Sequence, residues 1–315
     1  MSKQKVKEKL TFGQRLSNFR KGFLRNWQLY LFLLPAITYL IIFHYVPMYG
    51  VQIAFKDFYA TEGIMGSPWV KFEHFERFFN SYFFWRLLKN TLILNAYQLL
   101  LFPLPIILAL SLNEIRHSAA KKWAQTITYA PHFISVVVVV GMLIAFLDPI
   151  TGLVNHVISA FGGNPIAFME SPTWFRHIYV WSGEWQSLGW NSIIYLAALA
   201  GVNPELHEAA RVDGATRFQR IIHINIPTIL PTIVILFILN IGRFMTIGFE
   251  KVLLMQNSLN AETSDIIQTY VYQVGLLEGD YSFAAAIGLF DSVINIFLLI
   301  TVNYIARKTS ENSLW

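Results

Sequence analysis

Long apolar runs alternate with shorter polar ones along this chain. A bilayer core takes about 20 apolar residues of helix, each rising about 1.5 Å. Six stretches are that long: 28–46, 90–112, 126–147, 178–202, 228–249 and 283–306. Barrel strands would run about 10 residues with strict alternation, and that alternation is absent. The pattern predicts an all-α membrane protein with six transmembrane helices over 28–306, between an N-terminal segment, 1–27, and a short tail, 307–315. Polar insertions are sparse. Asn240 and Arg243 fall in the fifth stretch, Asp291 and Asn295 in the sixth.

Composition moves the same way. Of 315 residues, 55% are hydrophobic and only 14% charged, against about 25% charged in soluble domains. The chain has no cysteine, which excludes disulfides and thiolate metal sites.

The placement of charge orients the chain. Lys3, Lys5, Lys7, Lys9, Arg15, Arg20, Lys21 and Arg25 precede the first apolar stretch. With an even number of spans both termini share a side, and the loops after the second and fourth spans join it. Those loops add Arg116, Lys121, Lys122, Arg211, Arg217 and Arg220. Basic residues favour the cytoplasmic side, so both termini and loop 203–227 are expected there, in a multi-pass protein of the cell membrane. The first apolar run starts late and lacks a small-residue exit, so it reads as a retained helix and not a cleaved signal. Before it, Phe12, Leu16, Phe19 and Phe23 recur at helical spacing among basic residues, the pattern of an interfacial amphipathic helix.

The outer loops carry their own signals. Residues 47–89 are crowded with aromatics and are expected to pack on the bilayer surface or on a partner. Residues 148–177 predict one short helix ended by a tight turn at Gly162-Gly163-Asn164-Pro165. Residues 250–282 carry more acid than base, which reads for any single residue as loop solvation.

The loop 203–227 is the most regular polar element. Asn203 is placed to cap a helix whose first residue is Pro204, and Glu205 complements the dipole there. Gly214, after Asp213, suits the left-handed residue that ends it. Thr216 to Ile224 predicts a second short helix with Phe218, Ile221 and Ile222 on its apolar side, and Pro227 opens the fifth span. Ala209 and Ala210 beside Glu208 leave a smooth face that another backbone can approach.

The same residues carry a resemblance. Glu208-Ala209-Ala210, three residues, Gly214, nine residues, then Ile224-x-Ile226-Pro227 resembles the EAA loop of permease subunits in binding-protein-dependent ABC importers, with Ile226 in place of leucine. Pro47-Met48-Tyr49-Gly50 and Ile53-Ala54-Phe55-Lys56-Asp57-Phe58 resemble the oligo- and polysaccharide branch of the sugar permeases, and the likeness runs from about residue 27 to the end of the chain. It implies the type I importer fold, with the first helix packed on a second, homologous permease. It also implies two ATP-binding subunits, which carry ATP and Mg, and an extracytoplasmic solute-binding protein. The coupling residues it implies are Glu208, Ala209, Ala210, Asp213, Gly214, Ile224 and Pro227. The cargo would be an oligosaccharide or polysaccharide fragment; no nucleic acid is called for.

The chain has no phosphate-binding Gly-x-x-x-x-Gly-Lys-Ser/Thr loop, no His-Glu-x-x-His and no Gly-x-Ser-x-Gly. It is therefore expected to be non-catalytic and to bind no cofactor or metal itself. A permease for another solute shares the EAA loop. An ion-coupled carrier is a different class, and its candidates are the intramembrane ionisable residues Arg243 and Asp291. These two either pair with each other or line the path. A sugar needs aromatic faces and directional hydrogen bonds, which makes Gln186, Trp190, Asn191 and Tyr195 in the fourth span candidate path residues. Asn240, Arg243 and Phe244 in the fifth and Asp291 and Asn295 in the sixth complete the set.

Overall fold

The computed structural model describes residues 25–309. The expected amphipathic helix around Phe12 to Phe23 lies outside them, as does the end of the tail. Among the described residues the chain is helical, with no strand beyond an isolated bridge between Lys56 and Trp69.

The main helices are α1 (Trp27–Leu40), α2 (Phe84–Leu100), α3 (Pro103–Asn113), α4 (Ser118–Tyr129), α5 (Val136–Leu147), α6 (Pro172–Leu199), α7 (Pro204–Val212), α8 (Ile226–Ile241), α9 (Phe249–Met255) and α10 (Tyr281–Thr309). Four helical stretches are long and apolar enough to cross a bilayer: Trp27–Phe55, Phe84–Asn113, Arg217–Ile241 and Tyr281–Lys308. The six-helix expectation differs from this in two places. The third span is not one rod, because Ser118–Phe133 and Val136–Leu147 meet at 97°. Pro131 tightens the chain into a 3₁₀ turn, Ile134 and Ser135 are extended, and the Ser135 hydroxyl accepts from Val138 N to start a new helix. Counted as one span, the pair makes a fifth. The fourth expected span, α6, is 28 residues long but interrupted by polar residues, so it falls below the apolarity of the others.

The fifth span is also shifted. It begins at Arg217, passes through a π-helical turn, Ile221–Asn225, and continues as α8 to Ile241. Pro227 therefore does not open it. It sits ten residues into a continuous helix, at the point where α8 resumes after the π-turn. The far end stops at Gly242 and not at 249.

Buried side chains form three clusters along the bundle. Ile106, Ala109, Tyr195, Leu199 and Ile229 join α3, α6 and α8. Leu94, Val140, Phe175, Tyr179 and Val252 join α2, α5, α6 and α9. Phe78, Leu87, Met245, Ile267, Phe283 and Ile287 bind the loops to α10. The aromatic segment 47–89 packs on its own chain only through some of its rings: Phe78 and Phe84 are buried, while Trp69, Phe72, Tyr82 and Trp85 stay exposed. Phe78 lies edge-on to Phe84 and Phe290 at 5.1 and 5.5 Å, and Arg77 covers Phe283 at 4.0 Å while bonding Asp280 at 2.7 Å.

The other two loops, 148–177 and 250–282, are stapled rather than merely solvated. Residues 148–177 contain the predicted short helix, Leu153–Ala160, ended at Gly162 with φ +81°. Asn260, fully buried, donates to the Met169 and Met255 carbonyls and accepts from Asn257 N and Ser264 Oγ. Asn90 donates to the Glu262 and Asp265 carbonyls and accepts from Arg176. Asp265 accepts from Gln256 and faces Arg86 at 3.4 Å, yet burial keeps its carboxyl above the ordinary range.

Candidate functional site

A cavity of about 600 Å³ opens between α2, α3, α6 and the end of α8. Its α6 wall is one helical stripe, Val180, Gly183, Glu184, Ser187, Trp190, Asn191, Ile194 and Tyr195. The spacing of three and four keeps these residues on one face. The opposite wall exists because α8 stops. After Gly242 the chain turns through i→i+3 bonds, Arg243 N to the Asn240 carbonyl and Phe244 N to the Ile241 carbonyl. The turn presents Asn240, Arg243 and Phe244 to the same space. Trp190 is held in place: His132 stacks on it at 4.3 Å and 6°, and Phe133 meets its edge at 6.0 Å. Its ring face and the amides of Asn191 and Asn240 provide a flat apolar surface flanked by hydrogen-bonding groups.

Six of the nine residues picked out from the sequence therefore share this wall: Trp190, Asn191, Tyr195, Asn240, Arg243 and Phe244. Gln186, Asp291 and Asn295 are not in it. Gln186 and Asn295 instead support backbone breaks beside it, and Asp291 bonds a side chain that does. Gln186 donates to the Ile134 carbonyl, left free where α4 and α5 bend apart. Asn295 accepts from Met245 N, and Gln268 donates to the Met245 carbonyl, which holds the turn after α8. Asp291 accepts from that same Gln268. Among the described residues Arg243 and Asp291 form no ion pair, and Asp291 lines a different, mostly apolar groove. Glu184 was missed by sequence reading, although its spacing from Ser187 and Asn191 marks the same stripe.

The polar loop is built largely as its punctuation requires. Asn203 Oδ1 accepts from Glu205 N at 3.0 Å, and Pro204 opens α7. Gly214 has φ +78°. The Gly214 N bond to the Arg211 carbonyl and the Ala215 N bond to the Ala210 carbonyl close a Schellman motif. Thr216 and Gln219 form a capping box that starts the next helix. Glu208, Ala209 and Asp213 are exposed, and Ala210 is half-buried. Ile224 packs on the cluster below. Phe218 differs from expectation: it is 70% exposed, with Ile222 also facing out, and only Ile221 packs inward. Val212, at 88%, adds a second exposed apolar side chain.

Helices of bilayer length, a polar cavity where one of them breaks, and a rigid polar loop between spans define a solute permease. Residues 102–311 match the family described as binding-protein-dependent transport system inner membrane component. The chain belongs to that family, the membrane-spanning and non-catalytic subunits of ABC importers. It is 46% identical to Protein LplB of Bacillus subtilis strain 168 over 97% of this chain and 96% of that protein. It is 44% identical to the polygalacturonan/rhamnogalacturonan transport system permease protein YteP of the same strain, over 91% of this chain and 90% of that one. It superimposes with a TM-score of 0.86, at 42% identity over 93% of this chain and 99% of the other, on a chain of a bacterial ABC transporter that imports the acidic polysaccharide alginate. A second such structure, at 41% identity, holds that transporter in complex with an alginate pentasaccharide-bound periplasmic protein. These relatives place the chain among the oligosaccharide and polysaccharide permeases.

Proposed function

We propose that this chain forms one half of the membrane pore of an ABC importer and passes a polysaccharide fragment through the cavity under Trp190. The observation that carries the reading is the cavity itself, where an immobilised indole face is flanked by Asn191, Asn240 and Arg243. A sugar ring rests its C–H face on such an aromatic, and its hydroxyls bond to amides and charged groups. The other half of the pore is a second, homologous permease. Helix α1 has no residue buried within its own chain, which supports its packing on that partner. One of the two ATP-binding subunits docks on α7 with Glu208, Ala209, Ala210, Asp213 and Gly214, the other on the partner permease, and the exposed Val212 and Phe218 give the contact on this chain an apolar centre. Nucleotide and Mg belong to those subunits. A solute-binding protein delivers cargo to the stapled outer loops, and α7 and both termini face the cytoplasm. ATP-driven closure of the ATPase pair, acting through α7, alternates the access of the cavity. The test is reconstitution. With partner permease, ATPase subunits and binding protein in proteoliposomes, saccharide uptake should require ATP on the side of α7. Uptake by this chain alone, driven by a proton or sodium gradient, would overturn the reading.

A further inference from the structure

Glu184 is an acidic side chain in the cavity wall that no element of the fold uses. It sits on the α6 stripe between Gly183 and Ser187. Among the described residues it forms no ion pair, unlike Asp280 with Arg77 and Asp265 with Arg86. Its Oε1 is sealed from solvent and meets no hydrogen-bond donor. A buried carboxylate oxygen without a donor is unfavourable, and an apolar residue would serve the packing of α6 better. The last side-chain torsion of glutamate is broad, so rotation exchanges the donor-less oxygen with its neighbour. The second charged group of the wall is Arg243, on the segment after α8. The two are not paired with each other, so both charges are left for whatever enters.

We infer that Glu184 and Arg243 are a pair of opposed specificity residues that read the charge pattern of the passing saccharide. Through the oxygen that faces the cavity Glu184 accepts a hydrogen bond from a cargo hydroxyl, since an ionised carboxylate offers only acceptors, and it repels a carboxylate on the cargo. Arg243 takes that carboxylate through its planar fork of donors. A uronate fragment fits with its acidic edge toward Arg243 and its hydroxyl edge toward Glu184, and the reversed orientation is rejected by like charge. This rests on the reading of the cavity as the saccharide path.

The test uses the full complex in proteoliposomes, with trigalacturonate and its trimethyl ester as probes. These share every ring hydroxyl and differ in charge. The measured quantity is the ratio of initial import rates, acid to ester, at equal amounts of assembled complex. Glu184→Gln should raise this ratio about tenfold by removing the repulsion, and Arg243→Gln should lower it by a similar factor. Glu184→Asp, which keeps the charge, should stay near the wild-type ratio. The preference of the binding protein is common to all variants and cancels in the comparison. An unchanged ratio in both Gln variants would overturn the inference, as would an equal fall for both probes, which is what a structural role alone produces. If wild-type complex imports neither probe, nor a mannuronate trisaccharide or its ester, the reading of the cavity as a saccharide path itself falls.

Discussion

Gly189 of α6 lies directly under the Thr128 carbonyl of α4, so close that a Cβ built on the glycine would overlap that oxygen and lie 2.9 Å from Tyr129 Cδ1. Two helices cross here backbone to backbone. The contact brings His132 and Phe133 onto Trp190, one residue further along α6. A methyl at 189 has to push the helices apart, because backbone cannot rotate out of the way.

Gly189→Ala is therefore expected to destabilise the chain by about 1–3 kcal/mol, read as a lower melting temperature of the purified complex. Gly141→Ala on α5 is the control. Nothing lies within 4 Å of its Cβ position, and alanine favours helix by about 1 kcal/mol over glycine, so its melting temperature should hold or rise. Equal behaviour of the two variants would remove the close-crossing argument.

Gly214 poses a different constraint. Its φ of +78° costs a residue with a Cβ about 1–2 kcal/mol, and the Schellman bonds that end α7 depend on it. Gly214→Val should leave membrane insertion intact and lower substrate-stimulated ATP hydrolysis several-fold. Full ATP stimulation at equal abundance would show that the shape of this loop does not carry the coupling.

Asp148 caps the C-terminal end of α5. Its Oδ1 accepts from Thr151 N, Thr151 Oγ1 and Ile150 N. The Thr151 bonds first, then that from Ile150, hold its carboxyl below the ordinary 3.8. A carboxyl depressed on folding stabilises fully above its unfolded value and loses that contribution as pH falls through the folded one. The gap in melting temperature between wild type and Asp148→Ala should be constant from neutral pH down to the mid-acid range and close below 3.8. A gap that widens with acid would contradict the assignment.

Orientation is open to a direct measurement, because the chain has no cysteine of its own. Asn164→Cys should react with an impermeant thiol reagent on intact cells, and Asp213→Cys should be protected until the membrane is opened. The reverse pattern would place α7 outside and end the coupling proposal.

Much of the polar loop was legible because its signals act within a few residues. Asn203, Gly214 and Thr216 each set a local geometry that depends little on the rest of the fold. The cavity was half legible. Residue type suggested Trp190, Asn191, Asn240 and Phe244, and the turn after Gly242 brought them to one space. Sequence could not separate the residues facing that space from Gln186 and Asn295, which bond the backbone beside it, and Asp291, which bonds the Gln268 side chain, because that depends on how each helix is rotated against its neighbours. Glu184 was passed over because an apolar average across a span hides a single acid, while the stripe from Val180 to Tyr195 shows it. The bend near Ile134 had a signal in Pro131 and Ser135 that the hydropathy of 126–147 concealed. Phe218 was grouped with Ile221 and Ile222 by residue type, and the fold packs Ile221 inward while leaving Phe218 and Ile222 exposed.

That π-turn, Ile221–Asn225, has a genetic consequence. A π-turn holds more residues than the α-helical turn it replaces, and each residue of an α-helix swings the chain by about 100°. Loss of one codon within this stretch would let the rod from Arg217 to Ile241 close up as plain α-helix. Asn240 would keep its direction relative to Arg217, because the wide turn already absorbs the extra residue. A codon lost from the plain α-helix between Ile226 and Asn240 has no such slack and would swing Asn240 by about 100°. The π-turn is thus the one stretch of this rod where a three-nucleotide deletion leaves its two ends in step.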